Sequence, residues 1–87
     1  MIYQPYNVLV HRRDPTRRMA RYYGLSVEPS LLGGIILVRR WGRAGRTERR
    51  CVEHFCNEQE AVIAFLTLLA RKRRRGYRPE PVAAFHT

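Results

Sequence analysis

Lysine is almost missing from this chain. Of 17 basic residues in 87, Lys72 alone is a lysine and the others are arginine. Carboxylates are scarce too, seven in all, and the formal charge is +10. So few acids leave no paired arrangement suited to general acid and base work, and no serine or cysteine sits in a nucleophile motif. The expectation is a protein that is not an enzyme. Cys51 and Cys56 are the only cysteines, and their spacing matches neither a metal site nor a redox pair. His11, His54 and His86 are scattered, so no metal and no cofactor is expected. Apolar runs are short. Nothing approaches about 18 consecutive apolar residues, and Met1 to Pro5 lacks the apolar core of a secretion signal. That reading predicts a soluble, cytoplasmic protein that does not engage a membrane.

What is present is arginine, in quantity, with enough aromatic residues for one packed layer. Arginine offers bidentate contacts to phosphate and stacks on flat rings. A charge of this size on a chain of this length points to a polyanionic partner. At 87 residues there is room for one core only, so residues 1–87 are read as a single domain.

Four strands are predicted. The first ends in Val8-Leu9-Val10. A basic loop, His11 to Arg18, follows, with a turn signal at Asp14-Pro15. The second strand is Met19 to Val27, with Tyr22 and Tyr23 on opposite faces and Leu25 and Val27 on the Tyr23 face. The third, Ile35 to Val38, is the most apolar and leads into Trp41-Gly42-Arg43, placed where the backbone turns. The fourth spans Thr47 to Phe55, where strict alternation fails and a bulge is one resolution.

A helix follows. Asn57 is its N-cap, Glu60 answers at N3, and Ala61, Ala64, Phe65, Leu68 and Leu69 make one apolar stripe, widened by Val62, Ile63 and Leu66. Acidic residues fill its first turn and Arg71 to Arg75 its last, in accord with the helix dipole. Gly76 is placed to end it. The fold predicted is α+β: a small antiparallel sheet of about four strands with one α-helix packed across one face. The core spans about residues 8–77, and 78–87 form an extended tail. The sheet face away from the helix is expected to be free for a ligand.

The motif Trp41-Gly42-Arg43 carries the sharpest signal. A tryptophan flanked by arginines suits a flat, phosphate-bearing ligand, and it also suits a packing role at a sheet edge. Both readings stand on the residues alone. Arg46, Arg49 and Arg50 extend the basic surface past the turn. Five cations at Arg71 to Arg75 exceed what a helix dipole needs, which favours phosphate contact there.

These residues together resemble the WGR domain family. The resemblance rests on Ala20-Arg21-Tyr22-Tyr23, on Val38 to Gly45 including Trp41-Gly42-Arg43, on Phe55, on Glu58 to Ala61 with Phe65, and on Lys72 to Tyr77. It covers about Val8 to Tyr77 and implies an antiparallel sheet with one helix. It also implies nucleic-acid binding, DNA before RNA, through backbone and sugar. In poly(ADP-ribose) polymerases the module touches DNA near strand breaks, its tryptophan on a terminal sugar and its arginine on the backbone; those roles fall here on Trp41 and Arg43. The binding set expected is Trp41, Arg43, Arg46, Arg21, Lys72, Arg73 and Arg75. The chain departs from the polymerase pattern at Ala20, where asparagine is usual, and its strand-to-helix stretch is closer to free-standing bacterial members. An adaptor that meets an acidic protein partner through the same basic face is the alternative. The oligomeric state stays open.

Overall fold

The computed structural model describes residues 6–14, 19–43 and 45–79. Five strands and one helix follow in the order β1 (Asn7–Asp14), β2 (Met19–Pro29), β3 (Ile35–Arg43), β4 (Arg49–Phe55), α1 (Glu58–Arg74) and β5 (Arg78–Pro79). The strands form one antiparallel sheet in the spatial order β4-β3-β2-β1-β5. The predicted class holds, and a two-residue fifth strand pairs Arg78 and Pro79 with His11 and Val10.

The boundaries differ from the sequence expectation in informative ways. β1 runs on through His11, Arg12 and Arg13, which had been expected to form a loop, because each finds a partner on β2 (His11 with Tyr22, Arg12 with Arg21, Arg13 with Ala20). Residues 15–18, which complete that basic segment, lie outside the described residues. β3 does not stop at Val38. It continues to Arg43, since Trp41, Gly42 and Arg43 pair with Tyr23, Tyr22 and Arg21. The Trp-Gly-Arg motif is therefore strand, and the turn comes after it, where Gly45 takes φ +78° and Arg46 N–H donates to Arg43 O at 3.0 Å.

No bulge is needed in β4. Pairing with β3 is continuous from Ile35–Phe55 to Trp41–Arg49. Alternation resumes once Val52 is assigned to the face away from the helix, where it stays 39 % exposed.

Side chains at odd positions of β2, β3 and β4 and even positions of β1 share the face that α1 covers. Val10, Leu25, Val27 and Leu37 meet Ala61 and Phe65 of the helix there. Tyr6 adds an edge-on ring contact to Phe65, with centroids 5.8 Å apart.

The helix starts as expected, Asn57 Oδ1 accepting from Glu60 N–H at 2.9 Å. Its stripe is narrower than read. Ile63 and Leu66 are more than half exposed, since the sheet is shallow and one 17-residue helix presents only the Ala61–Phe65 side to it. At the other end Gly76 takes φ +95°, Gly76 N–H donates to Arg73 O at 3.0 Å, and Tyr77 N–H donates to Lys72 O at 3.1 Å. This paired ending satisfies two terminal carbonyls and turns the chain back under the helix. Tyr77, which closes the expected core just before the tail, is thereby buried. Residues 80–87 of that tail lie outside the described residues.

The packing predicts a sharp contrast along two leucines. Leu37→Ala empties a fully buried site and should cost about 2–5 kcal/mol. Leu66→Ala should change stability by less than about 0.5 kcal/mol. Urea denaturation of both variants checks this, and equal losses would mean the helix presents a different side to the sheet.

Candidate nucleic-acid interface

The register fixes which side chains meet near the motif. Tyr23 lies opposite Trp41, Arg21 opposite Arg43, and Arg49 opposite Trp41 on its other side. All five fall on the face that carries α1. This corrects the expectation that the helix-free face would take a ligand. The helix covers Leu25 and Leu37, ends at Arg74, and leaves the Trp41 end of the sheet roofed only by its last turn.

Under that turn the aromatic rings form one assembly. Tyr23 and Trp41 stack with centroids 5.9 Å apart and planes 16° from parallel, and Tyr77 meets Tyr23 edge-on at 6.4 Å. The Lys72 ammonium sits 4.2 Å from the Tyr23 ring centroid and 5.5 Å from that of Tyr77. A cation placed so is attracted by the ring quadrupole. Tyr23 and Tyr77 are buried, whereas Trp41 is half-buried with one ring face committed to Tyr23. Burial, reinforced by Arg75, Arg39 and Arg71, holds the Lys72 ammonium below its ordinary pKa of 10.5.

The rings and cations enclose an open cleft of about 430 Å³, to which Arg21, Arg43, Arg49, Lys72 and Arg75 bring five cationic groups. Tyr22, Tyr23, Trp41, Gly42 and Tyr77 complete its lining. Among the described residues, no carboxylate is paired with any of the five cations. Arg39 lies on the same face but is spoken for: it pairs with Glu53 at 3.1 Å and donates to Cys51 Sγ at 3.2 Å. The Cys51 contact stabilises its charged form and burial opposes it; the net effect holds its pKa above normal.

Gly42 has a spatial role. A Cβ there would approach the Tyr22 hydroxyl to 3.2 Å, so the ring of Tyr22 lies across the glycine on the far side of the sheet. That hydroxyl donates to Glu48 at 2.8 Å, a bond that raises the Tyr22 pKa. Arg40, which alternates away from Arg39, lies across Gly24 on that same far face.

Of the residues expected to bind, Trp41, Arg43, Arg21, Lys72 and Arg75 share the cleft. Arg46 belongs to an adjoining depression of about 620 Å³ with Thr47, and it shares Trp41, Gly42, Arg43 and Arg49 with the cleft. Arg73 stands apart, beside Arg74, Arg78 and Pro79. Arg49 was missing from the expected set. Its place follows from the β3–β4 register, which the Gly45 turn sets and which alternation within β4 did not reveal. Tyr23 and Tyr77 were likewise not foreseen as cleft walls, since the stack exists only across strands. Among the described residues there is no cluster of three or more potential metal ligands, and no helix is long and apolar enough to cross a membrane.

With this arrangement in place, comparison with known proteins is direct. The WGR domain family matches residues 6–84. The chain belongs to that family. It is 56 % identical over 81 residues to an uncharacterized protein of Sinorhizobium fredii (strain NBRC 101917 / NGR234), a match that takes in 93 % of this chain and 40 % of the relative. The chain thus spans about two fifths of that relative's length. No solved structure matches.

The environment of Lys72 makes a measurable prediction. Because the fold disfavours its ammonium, the side chain should titrate below 10.5. The folded domain then binds fewer protons than the unfolded chain between the two pKa values, and stability should rise with pH through that window. Carbon NMR at the ε-methylene of the one lysine checks the first point. Arg75→Gln should move the midpoint back up, and a midpoint at or above 10.5 in the unsubstituted protein would place the ammonium outside the cleft.

Proposed function

We propose that the domain is a non-catalytic nucleic-acid-binding module, contacting DNA through backbone and sugar in the Trp41 cleft. The observation that carries this reading is the joining of a half-buried tryptophan and five cations without a paired carboxylate on one surface. A purely structural tryptophan would not need that ring of charge. Membership of the WGR family, which is associated with nucleic acid, supports the same reading.

The roles divide by chemistry. Arg21, Arg43, Arg49 and Arg75 hold phosphate oxygens, where the planar guanidinium makes two parallel contacts. Lys72 supplies a point charge already oriented by Tyr23. The open face of Trp41, turned away from Tyr23, stacks on a sugar or base. Ala20 has no side-chain hydrogen-bonding group, so it adds no contact to a DNA end.

Fluorescence anisotropy with short duplexes over a salt series tests the proposal. The five cleft cations should contribute roughly −4 to −5 to the log–log salt slope. Trp41→Ala should weaken binding by about 5- to 150-fold, the equivalent of about 1–3 kcal/mol of stacking, while circular dichroism stays unchanged. Binding indifferent to salt, or to Trp41→Ala in a folded variant, would overturn the reading. Capture of an acidic protein that survives nuclease treatment, with no oligonucleotide binding, would favour the adaptor role instead.

A further inference from the structure

The basic run at the end of α1 is longer than one helical turn, so it cannot face one ligand surface. At about 100° per residue, Lys72 and Arg75 fall on one side and Arg73 and Arg74 on the other. The structure follows that division. Lys72 and Arg75 line the Trp41 cleft, whereas Arg73 and Arg74 line a separate depression of about 430 Å³ with Arg78 and Pro79.

The second depression is set up for an anion in its own right. Arg78 Nη1 donates to Arg73 O at 3.1 Å and to Tyr77 O at 3.0 Å. Those bonds orient the guanidinium and cover carbonyls whose negative ends would repel phosphate. The remaining N–H groups of the fork are left for a ligand. Among the described residues, no carboxylate is paired with Arg73, Arg74 or Arg78.

What separates the two surfaces is the helix itself, about 10–12 Å across with its side chains. The major groove of B-form DNA is about 12 Å wide, and its two walls are phosphate backbones. The minor groove, at about 6 Å, is too narrow for a helix. The major groove of an A-form RNA duplex is deep and narrow and closed to such an element.

We propose that the carboxyl end of α1 straddles the major groove of a B-form duplex, with Lys72 and Arg75 on phosphates of one strand and Arg73, Arg74 and Arg78 on phosphates of the other. The ligand is then double-stranded DNA, and the helix end is what tells it from a single strand or from duplex RNA. This rests on the reading of the Trp41 cleft as a nucleic-acid surface and adds a second strand to it. Recognition stays independent of base sequence, because every group named addresses phosphate.

The test compares Arg73→Gln/Arg74→Gln with Arg43→Gln on duplex DNA, single-stranded DNA and duplex RNA of equal length. The double variant should bind duplex DNA roughly tenfold more weakly, with a salt slope shallower by about 2. Its affinity for single-stranded DNA and duplex RNA should change less than about twofold, since those ligands meet only the cleft. Arg43→Gln should weaken all three. Equal losses on all ligands for the double variant, or no loss on duplex DNA, would overturn the proposal. So would two duplexes bound per protomer in sedimentation, because the second depression would then serve a separate molecule. If Arg43→Gln changed nothing while the double variant lost duplex binding, the cleft reading would fall and the straddling pose with it. All of these substitutions remove exposed side chains, and an unchanged melting temperature confirms the fold.

Discussion

The face of Tyr23 is where strand register, helix ending and surface charge meet. One ring holds Trp41 in a near-parallel stack from β3, receives the edge of Tyr77 from beyond the helix, and lies under the Lys72 ammonium of the last helical turn. Remove that ring, and the three elements lose their common contact. The small core around Leu25, Leu37 and Phe65 holds the sheet to the helix, and it reaches the cleft only through Tyr23 and Tyr77, with Trp41 packed against them. The aromatic assembly extends the packed layer out to the Trp41 end of the sheet, in a domain too small to do so with aliphatic side chains alone.

Charge imposes the second constraint. A chain at +10 with seven acids cannot neutralise its cations internally, so it has to spread them. The acids that have described side-chain partners are used locally: Glu53 holds Arg39, Glu48 holds Tyr22, and Glu28 accepts from Ser26 at 2.6 Å. None of these three lines the cleft. The arginines around Trp41 therefore share one cleft, where an anion would relieve their mutual repulsion. At Lys72 that repulsion adds to burial, the larger cause, in holding the ammonium below its ordinary pKa.

Much of the fold could be read from the chain. The Asn57 cap, the Gly76 ending and the opposed faces of Tyr22 and Tyr23 are each encoded within a few residues, and each holds. Strand ends were harder. Polar arginines in β1 and β3 look like loop until their cross-strand partners are known, and those partners lie as many as 22 residues away, as with Arg21 and Arg43. The candidate site was half legible. Trp41, Arg43, Lys72 and Arg75 stand out by type and position, but Arg49 joins them only through register, and Arg73 leaves them only through helical rotation. The outward turn of Ile63 and Leu66 was hidden as well, because hydrophobicity alone does not tell how wide a face a shallow sheet can cover.

The two adjacent pairs, Tyr22-Tyr23 and Trp41-Gly42, act across the strands as a register lock. Ring lies on ring at Tyr23 and Trp41 on one face, and ring lies on bare backbone at Tyr22 and Gly42 on the other. A slip of one residue between β2 and β3 would send the tryptophan through to the helix-free face. Its indole would then point away from Lys72 and Arg75, and the tripeptide would remain in the chain with no cleft around it. Handedness of the surface, and not only its chemistry, thus depends on two tyrosines that precede the motif by nearly twenty residues.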